Sequence, residues 1–169
     1  YKVALVGFAL LVLMILFLIQ KKFFFLLTAT GASVVLSLII GLFGPLKITG
    51  IELVTFSTIL IGSLFGSLTG AVFGVSLLII NLILGRYEGG PYLVWTVPLY
   101  ALLGILSGIF TEVRMFVAMV VGINILDNIL TLVLYRENYT KTIIFSVGNV
   151  IFNSILLLKF FEEITALIV

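Results

Sequence analysis

The chain has 169 residues, of which 63% are hydrophobic and 9% charged, with a net charge of +2. A soluble domain carries about a quarter charged residues, so this composition excludes an ordinary water-facing surface. With no cysteine and no histidine, the chain also lacks thiol redox chemistry, Cys or His nucleophile–base pairs, His-ligated haem and the usual zinc sites, and its small, scattered charge leaves no footprint for nucleic acid.

Apolar stretches of membrane-spanning length follow one another along the chain. They are continuous rather than alternating, which predicts an all-α membrane protein and not a barrel. The first predicted helix covers residues 3–19. No small-residue cleavage site follows it, so it reads as a helix and not as a signal peptide. "QKK" (residues 20–22) is a tight interfacial turn. A second helix is predicted over residues 23–43 and is broken by "GPLKITG", where Pro45 stops the hydrogen-bond ladder.

Residues 53–85 carry no charge. At about 1.5 Å per residue this run is far too long for one crossing of a ~30 Å core. The sequence predicts two helices, of about 15 and 18 residues, that turn near Gly66–Ser67. Gly62, Gly66, Gly70 and Gly74 recur at every fourth position here. Such spacing lets backbones approach closely, either within the bundle or at a sliding interface with a partner. After the loop "GRYEGGP", a helix is predicted over residues 92–110, with Gly104 and Gly108 at the same spacing. "TEVR" then leads to a helix over residues 115–135. "RENYTK" leads to a last helix from about residue 142 to residue 160, followed by a short interfacial tail. One polytopic domain therefore covers residues 1–169: an N-terminal helix and turn (1–22), a six-helix core (23–160) and the tail (161–169). Lys and Arg divide almost evenly between the two faces, so the positive-inside rule does not set orientation.

Polar side chains at membrane depth are the candidate functional residues. Asn124, Asp127 and Asn128 are spaced by three and four, which places them on one helical stripe. Asp127 is the only acid well inside a predicted span, about 12 Å below the Tyr135 end of its helix. Asn149 and Asn153 form an i, i+4 pair on the last helix, and the connecting loop brings Asn149 to the depth of Asp127. The segment from Arg86 to Tyr100, with Tyr92 and Trp95, begins on the same side, as does "GPLKITGIE". Three loops and a polar cluster thus converge on one face. Asp127, Asn124, Asn128, Asn149 and Asn153 are read as polar contacts to a small ligand, with Trp95 and Tyr92 capping its apolar part. An acid among amides suits a ligand with an amine or several hydrogen-bond donors. The bland readings are that the Asn residues glue helices together and that the aromatics form an interfacial belt.

The stretches "LVTFSTILIGSLFGSLTGAVFGVSLLIINLI", "GGPYLVWTVPLYALLGILSGIF" and "YTKTIIFSVGNVIFNSILLL" resemble the S component of an energy-coupling factor (ECF) transporter: a glycine-rich helix hairpin, a loop, a helix ending in Gly-x-x-x-Gly, and a closing helix. The resemblance runs from about Phe23 to the end. It implies a six-helix, non-enzymatic subunit of a prokaryotic plasma membrane that captures a vitamin or other micronutrient near its outer loops. It further implies that this subunit topples when it docks on a T component, while two ATPase subunits drive release. No ATP-binding loop exists in this chain, so ATPases would be partners, and no cofactor is implied. Where the family's first helix often carries Ala-x-x-x-Ala for docking, this chain has "TATGASVV", with Ala29, Ala32 and Ser33 at small-residue spacing. With Gly62, Gly66, Gly70 and Gly74 these are the expected partner-facing residues. Without histidines, a metal-carrying version is disfavoured. A second resemblance is to MreD, the membrane subunit of rod-shape cell-wall machinery, which implies a scaffold with no ligand. MreD's usual Pro-Asp/Asn-Leu is replaced here by "GIELVTF". An intramembrane enzyme is the third class; it lacks a second intramembrane acid and a base for a serine.

Overall fold

A computed structural model describes Val12 and residues 20–87, 90–135 and 139–168. The helix expected over residues 3–19 lies outside the described residues except for Val12, as do Glu88 and Arg136. Among the described residues the chain is all-helical, with no strand.

Helix α1 spans Lys21–Leu42 and ends where Phe43 N–H makes the last backbone bond, to the Ile39 carbonyl. Pro45 sits in the following 3-10 turn, Gly44–Ile48, where its missing N–H is harmless. Helices α2 (Val54–Phe65) and α3 (Ser67–Leu84) divide the uncharged run. Between them Gly66 adopts φ +93°, which a side chain would resist. Then follow α4, Leu93–Ser107, and α5, Val113–Leu130, which continues into a π-helical turn over Thr131–Tyr135. Helix α6 spans Tyr139–Ile168.

Four of these helices are long and apolar enough to cross a membrane: α1, α3, α5 with its π turn, and α6. A multi-pass membrane protein is compatible with this set. The other two, α2 and α4, have 12 and 15 residues and so reach only about 18 and 22 Å. Helix α2 is the innermost element, with every residue from Val54 to Gly62 buried. Phe56, Ile59 and Leu60 of α2 meet Trp95, Leu99 and Leu103 of α4, Phe116 and Val120 of α5, and Leu157 and Phe161 of α6. Outward residues such as Val35, Leu42, Leu68, Val94 and Leu158 are large and exposed, as a lipid-facing surface requires.

The structure corrects two expectations. The tail is not a separate interfacial segment, because α6 runs on to Ile168. Phe161 and Ile168, seven residues apart, are both buried, and the Phe161 ring lies 4.8 Å from that of Phe116, so the inward stripe simply continues. Nor do the four glycines form one partner-facing ladder: the turn at Gly66 folds the run in half. A Cβ on Gly70 would meet Gly62 and the Gly104 carbonyl, one on Gly104 would strike the backbone of Gly70 and Ala71, and one on Gly74 would press on Thr58. Gly62, Gly70 and Gly74 therefore face inward, where α2, α3 and α4 touch backbone to backbone. Ser33 is also turned inward, sharing a 3.0 Å hydrogen bond with Ser57. Ala32 is exposed and Ala29 half-buried.

Candidate functional site

The connector between the 3-10 turn and α2 passes directly across α6. Gly50 there has φ +70°, and a Cβ on it would fall on the Phe145 carbonyl; a Cβ on Gly148 would fall on Thr49. Only this pair of glycines allows the crossing, which carries Glu52 into the interior at 2% exposure. Its Oε1 accepts 2.7 and 3.2 Å bonds from the side-chain amides of Asn149 and Asn153. Its Oε2 accepts the Thr55 N–H at 3.0 Å. Asn153 Oδ1 accepts the Phe56 N–H at 3.0 Å. Two otherwise orphaned amides in the first turn of α2 are thereby satisfied, one by a carboxylate at the positive end of the helix dipole. Asn149 in turn accepts a 3.0 Å bond from Asn124 of α5. Burial pushes the Glu52 carboxyl above its ordinary range, while bonds from Thr55 and Asn149 pull it back.

Asp127 is half-buried one turn further along α5 from Asn124. The Tyr92 hydroxyl donates to its Oδ2 at 3.3 Å. Thr96 approaches Oδ1 at 3.4 Å, but its single proton is better used by the Tyr92 carbonyl at 2.8 Å.

These groups line one cavity of about 370 Å³, bounded by Glu52, Asn81, Tyr87, Tyr92, Thr96, Tyr100, Asn124, Asp127, Thr131 and Asn149, with Leu78, Leu82, Leu99 and Ile123 as apolar wall. Three cations, Lys47, Arg86 and Lys141, complete it. Arg86 and Lys141 are exposed, so the cavity runs from a basic mouth to the acid and amides within. The size and mixed lining are those of a small-molecule site. Tyr87 lines it with a phenol pushed up to about 12, first by burial and then by the charge of Glu52; at neutral pH it donates. The Thr131 hydroxyl, on the same wall, is buried with no hydrogen-bond partner among the described residues.

Of the residues singled out in the sequence, Tyr92, Asn124, Asp127 and Asn149 line the cavity. The other three lie behind it. Asn153 is fully buried between Glu52 and α2. Asn128 accepts a 2.9 Å bond from Ser146 and ties α5 to α6. Trp95 is packed in the core, edge-on to Tyr92 with ring centroids 5.8 Å apart; it is not on the cavity wall, and its indole N–H has no partner among the described residues. Glu52, in the connector and outside every predicted span, is a buried acid that was not singled out in the sequence. Its signal in the sequence was present but short: one acid immediately before an uncharged run, two residues after a glycine. Compared with known proteins, the chain matches no family model, no curated protein and no solved structure.

Proposed function

We propose that the chain is the substrate-binding subunit of an ECF-type uptake transporter in a prokaryotic plasma membrane. It captures a small molecule in the cavity, and a partner T subunit with ATPases drives release. The observation that carries this reading is the cavity itself: about 370 Å³, reached from one end of the bundle, with Asp127 on its wall. Asp127 supplies charge for an amine, Asn124 and Asn149 supply amide groups, and Tyr92 supplies an amphipathic edge. The competing MreD-like scaffold predicts that the same polar residues only glue helices, with close packing around Asp127; an open volume beside that carboxylate favours the binder. Native mass spectrometry of the gently purified protein tests the proposal. A stoichiometric small molecule, or an associated T subunit with ATPases, is the expected result. A cell-wall assembly protein bound with no small molecule would replace it with the scaffold.

A further inference from the structure

Lys47 and Arg86 stand 39 residues apart, yet the Lys47 ammonium donates a 2.7 Å bond to the Arg86 carbonyl. Arg86 is the one non-glycine residue with positive φ among the described residues, at +53°. L side chains rarely adopt that conformation. The Lys47 bond braces it together with the bond from the Arg86 N–H to the Ile83 carbonyl, and both residues line the cavity. Two cations on one cavity wall favour an anionic group between them. Glu52, also on the cavity wall, has its oxygens bonded to Asn149, Asn153 and the Thr55 N–H. Lys141 lines the same mouth from the start of α6, and Tyr87 adds a phenol there.

We propose that the small molecule taken by this cavity carries an anionic group, a carboxylate or phosphate ester, held at the mouth by Lys47 and Arg86, opposite an ammonium or N–H-rich end at Asp127. Arg86 offers a planar fork suited to two oxygens, and Lys47 a point charge beside it. This deepens the uptake reading and rests on it. Cations at helix ends also attract anionic lipid, but Lys47 and Arg86 line the interior volume that Asp127 lines.

The test is thermal stabilisation of the full chain in detergent by four probe classes: amino carboxylates, amino phosphate esters, the matching amines without the acid, and the matching acids without the amine. Inorganic phosphate and phosphatidylglycerol vesicles are separate arms. Stabilisation confined to probes with both charges is expected, with affinity lowered about tenfold in Lys47→Gln/Arg86→Gln and restored toward wild type when Lys47 is instead changed to Arg. If the plain amines bind as tightly as their amino-acid partners, the anionic requirement is wrong while the small-molecule reading stands. Response only to phosphate or to lipid vesicles would mean that the cations serve a headgroup or a free anion, and would overturn the proposal. No response to any class overturns it too; the absence of a co-purified small molecule in the mass spectrum would then remove the uptake reading as well.

Discussion

Asn149 and Glu52 are 97 residues apart in sequence and 2.7 Å apart in space. One amide holds three things together through them: Asn149 donates to Glu52 and accepts from Asn124, joining α6, the connector before α2, and α5. Asn149 and Asn153 are 2% and 0% exposed, so neither amide has water as a fallback. Each lost partner weakens a network that has no water to replace it.

Truncating this clamp should destabilise the fold more than any other polar change. Asn149→Ala takes one acceptor from the Asn124 amide and one of two amide donors from Glu52 Oε1, and Glu52→Ala removes the side-chain acceptor of the Thr55 N–H and leaves the Asn149 and Asn153 amides only their 3.3 and 3.1 Å bonds to the Gly50 and Asn149 carbonyls. Each is expected to cost about 3 kcal/mol, whereas Asn128→Ala, which breaks one half-buried bond to Ser146, should cost about 1. Thermal unfolding in detergent reads all three. A double-mutant cycle of Asn149→Ala with Glu52→Ala should show strong coupling; additive effects would mean the two residues do not act as a unit.

Glu52 also sets a pH dependence whose sign follows from its environment. Burial raises its folded-state value above 4.5, so between the unfolded and folded values the native protein holds the extra proton. Stability is then greatest below the unfolded value and declines as pH rises through the raised one. Wild-type midpoints should fall as pH increases through this window. Glu52→Gln should flatten the slope, at a cost of about 1 kcal/mol from the weakened bond to the Thr55 N–H. An unchanged slope would assign the titration to another group.

The glycines sort into those that hold backbones together and those that do not. Gly104→Ala and Gly70→Ala place a methyl against backbone atoms, which side-chain motion does not relieve, and each should destabilise by about 1–3 kcal/mol. Gly31 and Gly122 have open space at the corresponding position, and their Ala variants should stay within about 1 kcal/mol of wild type. Equal losses at all four positions would refute close approach as the reason for the glycines.

The elements of this fold were legible because membrane helices announce themselves by length and apolarity, and because Gly66 and Pro45 are unambiguous punctuation. The stripe Asn124–Asp127 and the pair Asn149–Asn153 were legible for the same reason: a period of 3.6 turns sequence spacing into shared faces. Glu52 was not. A connector residue has no periodicity to place it, and its depth depends on Gly50 crossing Gly148, a contact between segments about a hundred residues apart. Trp95 misled in the opposite way. Its type suits both a ligand cap and a core, and only the packing of Leu99, Phe56 and their neighbours decides for the core. The glycine repeat suggested one face because a turn within the repeat does not alter its spacing in sequence.

Asp127 should separate function from stability. It is half-buried, and its approaches from Tyr92 and Thr96 are long, at 3.3 and 3.4 Å, so the fold has little invested in those two bonds. Asp127→Asn keeps the shape and removes the charge. On the uptake reading it should weaken capture of an ammonium-bearing molecule about tenfold or more, the worth of a charge-assisted bond in a shielded site, while the unfolding midpoint moves by only a few degrees. Trp95→Phe should do the reverse, loosening the core behind Tyr92 while leaving affinity within about twofold, since the indole is not on the cavity wall. Binding by the two variants, measured beside their unfolding midpoints, tests this. An Asp127→Asn protein that folds and binds like wild type would take the carboxylate out of the site, and a Trp95→Phe protein that is stable but no longer binds would put the indole back into it.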